Sequence, residues 1–503
     1  LDEGIGRERY SAGAGTFARV AGPETTVDLL RSIATEHPDR AAFVDAERRL
    51  TFAGWDRAAA GVAGWLAGRG VDCGDVVALL VPSSIEYAVC YQAAMRLRAI
   101  TTGINTRLGP SEIRSIVERT KPRVVIREED LPEVRAAFDG AAPAALPPAE
   151  PDDPVAIVWT SGTTGIPKGA VFDHRNLRAV AVGAGAMGAP FDVRLAPLPF
   201  AHVAFMSRPW EEIENAITTV ITPTPWSAAD ALHLMARERV TVGQGVPTQW
   251  RLVLDHPEFA MADLSGLRIA GTGAATVPPE LVREMEQKLG CPVVIGYTST
   301  EAAITTGTVP GDSPEVISRT VGRPRTNVEL EVVDDDGAPC PTGEVGRVRC
   351  RSGAVMRGYW HDPERTAEVL GADGWLTTGD LGFLDERGYL TLVGRRSEMY
   401  IRGGYNVYPA EVERVLSEHD DVAQVAIVGV PDPVLGEIGY AFVVPGAGAS
   451  PALESLRTFC TAELADYKAP DRLVVVDALP VTTVGKVDKQ ALAAEVRHPV
   501  TDG

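Results

Sequence analysis

Short, solidly apolar runs separated by segments of helical period set the tightest limit on what this chain can fold into. Val76 to Val81 reads Val-Val-Ala-Leu-Leu-Val. A run so short and so uniformly apolar suits a strand buried on both faces. Before it, Val27, Leu29, Leu30 and Ile33 recur at helix spacing from Thr26, and Ala41 to Val44 forms a short strand pattern. An Ala-rich stretch from about Trp55 to Leu66 then reads as a helix ended by Gly68 and Gly70. Helix and strand signals keep alternating through Ile126. That alternation predicts an α/β domain with largely parallel strands.

The stretch from Asp139 to Pro154 breaks the rhythm, and its Pro and Ala content reads as a linker. A second α/β region is expected from Val155 to about Leu330. Val328 to Val333, Gly346 to Arg351 and Tyr389 to Val393 then predict a small β-rich subdomain. From about Ser397, strand-like Val425 to Val430 and Tyr440 to Val444 alternate with helical Glu411 to Ser417 and Ala452 to Ala465. This predicts a small α+β domain. The first two dozen residues, Gly- and Ala-rich with no clear period, read as a loose arm.

Composition narrows the function classes. The 503 residues suffice for two or three folding units. A net charge of −20 argues against nonspecific binding to nucleic acid, because phosphate backbones need clustered Lys and Arg. It leaves room for an anionic ligand held by a local cradle of backbone amides and one or two cations. The six cysteines are scattered without a Cys-x-x-Cys pair or a Cys/His cluster, which predicts reduced, buried thiols and no structural zinc. No apolar run reaches the roughly 18 residues of a membrane span. The first residues, Leu1-Asp2-Glu3-Gly4, lack a basic region followed by an apolar one, so a cytoplasmic location is expected.

The most informative segment runs from Trp159 to Gly169, Trp-Thr-Ser-Gly-Thr-Thr-Gly-Ile-Pro-Lys-Gly. An apolar strand, Val155 to Trp159, leads into it. Glycines let backbone amides approach anionic oxygens, the hydroxyls of Thr160, Ser161, Thr163 and Thr164 can donate, and Lys168 adds charge. The chemistry suits a polyphosphate. It is not a Walker A loop, because Pro167 precedes Lys168 and Gly169 follows it. Gly/Ser/Thr clusters are commonly surface turns, but the full eleven-residue string resembles the signature loop of the acyl-CoA synthetase family. That family belongs to the adenylate-forming superfamily, with nonribosomal adenylation domains and firefly luciferase.

The resemblance spans nearly the whole chain, and its motifs follow in the family order. It implies a phosphate cradle of Thr160, Ser161, Gly162, Thr163, Thr164, Gly165 and Lys168. Gly296-Tyr297-Thr298-Ser299-Thr300-Glu301 resembles the adenine-and-magnesium motif, which implies that Tyr297 stacks on adenine, Thr300 contacts the α-phosphate and Glu301 holds Mg²⁺. Gly273, Ala274 and Ala275 lie in a small-residue loop similar to the one bordering adenine. Thr378-Gly379-Asp380 and Gly394-Arg395 resemble the ribose-binding pair, with Asp380 and Arg395 on the sugar. Gly403-Gly404 resembles the paired glycines that give CoA access, and Lys486 the catalytic lysine bridging carboxylate and α-phosphate. His202 resembles a residue beside the bound acyl group.

The family pattern implies a large N-terminal domain, 1–396, and a small mobile C-terminal domain, 397–503, hinged at Ser397. It implies ATP, Mg²⁺ and CoA as cofactor and co-substrates. A separate carrier protein is an alternative acceptor, and a homodimer is compatible with the resemblance. An enzyme specialised for one half-reaction and a degenerate nucleotide-binding protein remain alternative readings. The sequence departs from the pattern at Thr298, where glycine is usual, at Ser397, where Asp or Lys is usual, and at Asp173. The expected acid pocket is walled by Phe205, Gly245, Gly271, Gly296 and Thr298. No carboxylate stands between Phe200 and Phe205 to pair a substrate ammonium. An uncharged organic tail is therefore expected in place of an α-amino acid.

Overall fold

The computed structural model describes residues 23–143, 146, 148–160, 167–273, 277–396, 398–482 and 487–497. The expected N-terminal arm lies outside the described residues except for its last positions. The first helix, Thr26–Glu36, is capped by the Thr25 hydroxyl, which accepts from the Asp28 amide at 3.2 Å. It buries Leu29, Leu30 and Ile33, the residues whose spacing predicted it. The second helix, Phe52–Gly68, starts earlier than its pattern suggested because the Thr51 hydroxyl caps it by accepting from Gly54 at 3.0 Å.

Two sheets form the large N-terminal part. The nine-stranded sheet runs from Arg323–Pro324 through Ala303–Gly307, Val293–Ser299, Ile269–Gly273, Val242–Gln244, Val193–Ala196, Thr218–Ile221 and Ala41–Val44 to Arg49–Thr51. Val293–Ser299 through Ala41–Val44 are parallel, and both edges turn back antiparallel. The five-stranded sheet orders Val124–Arg127, Val76–Leu80, Ile100–Gly103, Pro154–Thr160 and Lys168–Asp173, with only the last pair antiparallel.

The Pro/Ala linker connects two parts of one sheet. Pro154–Thr160 lies after the Pro/Ala stretch yet pairs with Ile100–Gly103 before it, while Ala41–Val44 joins the other sheet beside Thr218–Ile221. The two α/β regions are interleaved. The cost of closing a loop rises only slowly with its length, so a Pro/Ala insertion need not mark a domain boundary. The start of the stretch is also packed: Gly61 and Gly64 leave no room for side chains because the backbone at Gly140 and Ala141 runs against them.

The β-rich region is a four-stranded antiparallel sheet of Glu329–Val333, Gly346–Arg351, Leu376–Leu384 and Leu390–Arg395. The third of these strands has no counterpart in the sequence reading. The smaller C-terminal part holds a sheet ordered Tyr405–Val407, Tyr400–Arg402, Gly436–Pro445 and Val422–Asp432, with Arg472–Val475 parallel to Gly436–Pro445. Alternation sends Ile427, Ala441 and Val443 to one face, under the helices Pro409–Leu416 and Leu453–Glu463. Ala426, Val428 and Phe442 go to the other, where Leu492 of Lys489–Arg497 meets them.

Four cysteines are buried as expected, but Cys73 is exposed and Cys340 half-buried. Cys73 sits in the polar turn Asp72-Cys-Gly-Asp75. Among the described residues, no helix is long and apolar enough to cross a membrane.

Candidate active site

The phosphate-loop string spans a hairpin. Pro154–Thr160 and Lys168–Asp173 are antiparallel, and Thr160 pairs with Lys168 as the last register partners. The loop is thus closed at its base by two of the residues expected to hold phosphate. The Thr160 hydroxyl is buried without a hydrogen-bond partner. Such an orphaned donor is costly unless a ligand meets it. Ser161, Gly162, Thr163, Thr164 and Gly165 lie outside the described residues.

Lys168 is brought to Glu301 through a residue that sequence reasoning missed. Its Nζ stands 4.9 Å from the centroid of the Tyr359 ring. The Tyr359 hydroxyl donates to Glu301 Oε1 at 2.8 Å. Backbone bonds fix this arrangement: Trp360 N donates to Gly169 O, Val171 N to Gly358 O, and Met356 N to Glu301 O. Burial, and then the Glu301 carboxylate, push the Tyr359 phenol well above its ordinary range, so it remains a donor. Thr300 and Glu301 sit at the tip of the hairpin joining Val293–Ser299 to Ala303–Gly307. This tip lies at the carboxyl end of the parallel strands, the usual place for ligands in such sheets.

A second cluster gathers Tyr297, Asp380 and Arg395. Asp380 is only 5% exposed. It accepts from the Tyr297 hydroxyl, and from Arg395 Nε at 3.0 Å. Asp380 and Arg395 are also cross-strand register partners. Gly379 has φ +81°, a bulge conformation that a side chain would strain. Burial works against the Arg395 charge, but Asp380 beside it holds the guanidinium above its ordinary value. Burial, followed by the Asp380 charge, raises the Tyr297 phenol. The Tyr297 ring packs with Val332, Val348 and Leu390 of the four-stranded sheet.

Two clusters, one cationic with a carboxylate and one centred on a buried carboxylate acceptor, are therefore joined by the short stretch Tyr297–Glu301. A family model described as AMP-binding enzyme matches residues 30–360, and one described as AMP-binding enzyme C-terminal domain matches 411–486. The chain belongs to the AMP-binding enzyme family. It is 35% identical to the 3-[(3aS,4S,7aS)-7a-methyl-1,5-dioxo-octahydro-1H-inden-4-yl]propanoyl:CoA ligase of Rhodococcus jostii, across 94% of this chain and 99% of that protein. It is also 35% identical to a feruloyl-CoA synthase of an Amycolatopsis species, across 89% and 94%. The crystal structure of ATP-bound MatB from Rhodopseudomonas palustris superposes with a TM-score of 0.84 at 28% identity, covering 94% of this chain and 99% of that one.

In this AMP-binding enzyme one glycine of the expected acid pocket, Gly296, lies in a row of bare positions on one face of the sheet. Gly273, Gly296 and Gly307 are register partners across three adjacent strands. A Cβ on Gly296 would meet nothing closer than 3.9 Å. One on Gly271 would stand 2.6 Å from Met187 Cε, so Met187 covers that end. Trp250 Nε1 and Gly245 N both donate to Gly271 O, at 3.0 and 3.1 Å. Thr298 is exposed on the same strand as Gly296. Phe205 instead stacks on Phe200, centroids 3.6 Å apart, with both rings buried in the core. His202 caps the short helix Val203–Met206, its Nδ1 accepting from Ala204 N at 3.4 Å.

Gly403 and Gly404 form the two-residue turn between Tyr400–Arg402 and Tyr405–Val407, with φ of +55° and +89°. Positive φ at both central positions is what a tight hairpin of this kind requires, which is a local reason for the pair. The turn is exposed. Ala274, Ala275, Ser397 and Lys486 lie outside the described residues. Lys489, three positions after Lys486, is held by Glu398 at 3.0 Å and Glu413 at 2.8 Å.

Proposed function

We infer that the chain is an AMP-forming acid–thiol ligase that makes an acyl-adenylate from ATP and an organic carboxylic acid, then passes the acyl group to CoA. The observation that carries this reading is the pairing of the Lys168–Tyr359–Glu301 cluster with the Tyr297–Asp380–Arg395 cluster in one site. The first suits the phosphates of a nucleotide and the second its ribose. The names of the CoA ligases it resembles over almost their full lengths support the same chemistry.

In the first half-reaction the carboxylate attacks the α-phosphorus and pyrophosphate leaves. No general base is needed, since the nucleophile is already an anion near neutral pH. Thr160 to Lys168 would cradle the β- and γ-phosphates, and Thr300 and Lys486 would meet the charge that grows on the α-phosphoryl oxygens. Asp380 would exchange its Tyr297 and Arg395 partners in part for the ribose hydroxyls. Glu301 offers a single carboxylate, and among the described residues there is no group of three or more metal-ligating side chains. That donor set fits Mg²⁺ arriving with phosphates and not a cage made by protein alone. Bound there, Mg²⁺ would neutralise charge on the phosphoryl oxygens.

In the second half-reaction the CoA thiol attacks the mixed anhydride and AMP leaves. The proposed C-terminal domain, 397–503, would turn about Ser397, withdraw Lys486 and present the Gly403–Gly404 turn. A cytoplasmic location fits the need for ATP and CoA. The test is acid-dependent ATP–pyrophosphate exchange over a panel of carboxylic acids, with adenylate and thioester read by mass spectrometry. Adenylate with CoA thioester is expected. Adenylate that transfers only to a carrier-protein thiol would change the acceptor, and absence of both MgATP binding and exchange would overturn the reading.

A further inference from the structure

The glycine row on the pocket face ends at a cation with no ion-pair or side-chain hydrogen-bond partner among the described residues. Gly307, the last of Gly273, Gly296 and Gly307, has the Arg325 guanidinium directly over it: a Cβ there would stand 2.7 Å from Arg325 Nε. A Cβ on Gly185 would stand 2.9 Å from Arg325 Nη1. Two bare positions, on separate elements, thus form the slot in which this guanidinium lies. Its Nε is buried with no hydrogen-bond partner. No ion pair or side-chain hydrogen bond joins Arg325 to any other of the described residues.

The neighbouring charges do not balance it. Arg194 pairs with the buried Glu211, and Arg208 Nη1 donates to Glu211 Oε2 at 3.3 Å. Glu212 lies 3.7 Å from Arg194, and burial pushes its carboxyl up to about 7. Arg194 and Arg208 therefore already use the local carboxylates. Among the described residues Arg325 is left without a matching carboxylate; burial, then the nearby Arg208, disfavours its protonated form. A guanidinium kept in a half-buried slot with no anion is costly, and an incoming acceptor would offset that cost.

We propose that Arg325 is a specificity-determining residue that receives an acceptor oxygen at the end of the substrate's tail remote from the reacting carboxyl. This rests on the ligase reading and names the class of acid: one bearing a second carboxylate or a ketone. Gly296 faces Gly307 across one strand spacing, about 4.8 Å, and Thr300 lies four residues further along, about 13 Å at the rise of a strand. The tail runs from the adenylate over the bare Gly296 to the guanidinium. The expectation of a wholly uncharged tail then holds only for its middle.

The test uses the full chain with MgATP and CoA. kcat/KM is measured for chain-length series, up to sebacate, of straight-chain monocarboxylates, their oxo acids carrying a remote ketone, and α,ω-dicarboxylates. At the best length, one oxygen-bearing series should exceed the monocarboxylate by roughly 10–100-fold, the span of one charge-assisted hydrogen bond. Which series wins distinguishes carboxylate from ketone. Arg325→Met should collapse that ratio by a similar factor, and Arg325→Lys should restore part of it. Wild-type preference for the plain monocarboxylates, or a ratio unmoved by Arg325→Met, overturns the role of Arg325. Should no acid support exchange, the ligase reading itself fails.

Discussion

Replacing Tyr359 by Phe removes one hydroxyl and leaves the rest of its surroundings in place. The ring still lies under Lys168, and the backbone amide still donates to Thr366 Oγ1 at 2.8 Å. What is lost is the 2.8 Å bond to Glu301 Oε1. A hydrogen bond to a charged group is worth about 1.5–3 kcal/mol, and removing the group that orients a metal-binding carboxylate costs roughly 10–100-fold in metal affinity. The two figures agree, since 1.4 kcal/mol is about tenfold. The expected defect is therefore in Mg²⁺ use. Initial rates of pyrophosphate release, measured against free Mg²⁺ at saturating ATP, should show the half-saturating concentration rising about 10–100-fold, with the rate recovering at high Mg²⁺. An unchanged Mg²⁺ midpoint, or a rate loss that Mg²⁺ cannot repair, would refute the link from Tyr359 through Glu301 to the metal.

Asp380→Ala should weaken ATP and AMP alike, whereas Lys168→Ala should weaken ATP far more than AMP; calorimetry giving the opposite pattern would mean the two clusters are misassigned. Lys486→Ala should slow adenylation by roughly 10²–10³ while sparing thioester formation from supplied acyl-adenylate. Equal loss in both half-reactions would count against a bridging lysine. His174 gives a pH prediction. Its Nδ1 accepts from Thr26 N at 3.2 Å, and burial lowers the imidazole to about 4. The folded state thus holds it neutral, so its contribution is present above the unfolded value near 6.5 and is lost as pH falls toward 4, about 3 kcal/mol in all. Urea unfolding at pH 7 and pH 4.5 should reveal this slope in the wild type and its absence in His174→Gln; parallel slopes would exclude it.

What could be read from the chain follows how local its cause is. Val76–Leu80 is visible because burial on both faces demands an unbroken apolar run. Leu376–Leu384 is not, because its centre is Thr-Thr-Gly-Asp. Gly379 there bulges, and Asp380 is buried only because Tyr297 and Arg395 come to it from other strands. The candidate nucleotide residues stood out through short strings of special composition. Tyr359 and Arg325 had no such signal. Tyr359 meets Glu301 across 58 positions, and Arg325 is singled out only by what is missing around it, which no pattern of spacing records. The paired glycines were legible by resemblance, but their positive φ is a property of the turn that only the backbone reveals.

The grip of Glu398 and Glu413 on Lys489 has a mechanical meaning. Glu398 follows residue 397 directly, Glu413 belongs to the helix Pro409–Leu416, and Lys489 begins the helix Lys489–Arg497. Three parts of the C-terminal segment, far apart along the chain, are pinned at one ammonium. Any rigid-body motion of this segment would carry the three together as one piece. The start of the helix Lys489–Arg497 therefore cannot lag behind the helix Pro409–Leu416 when the segment moves.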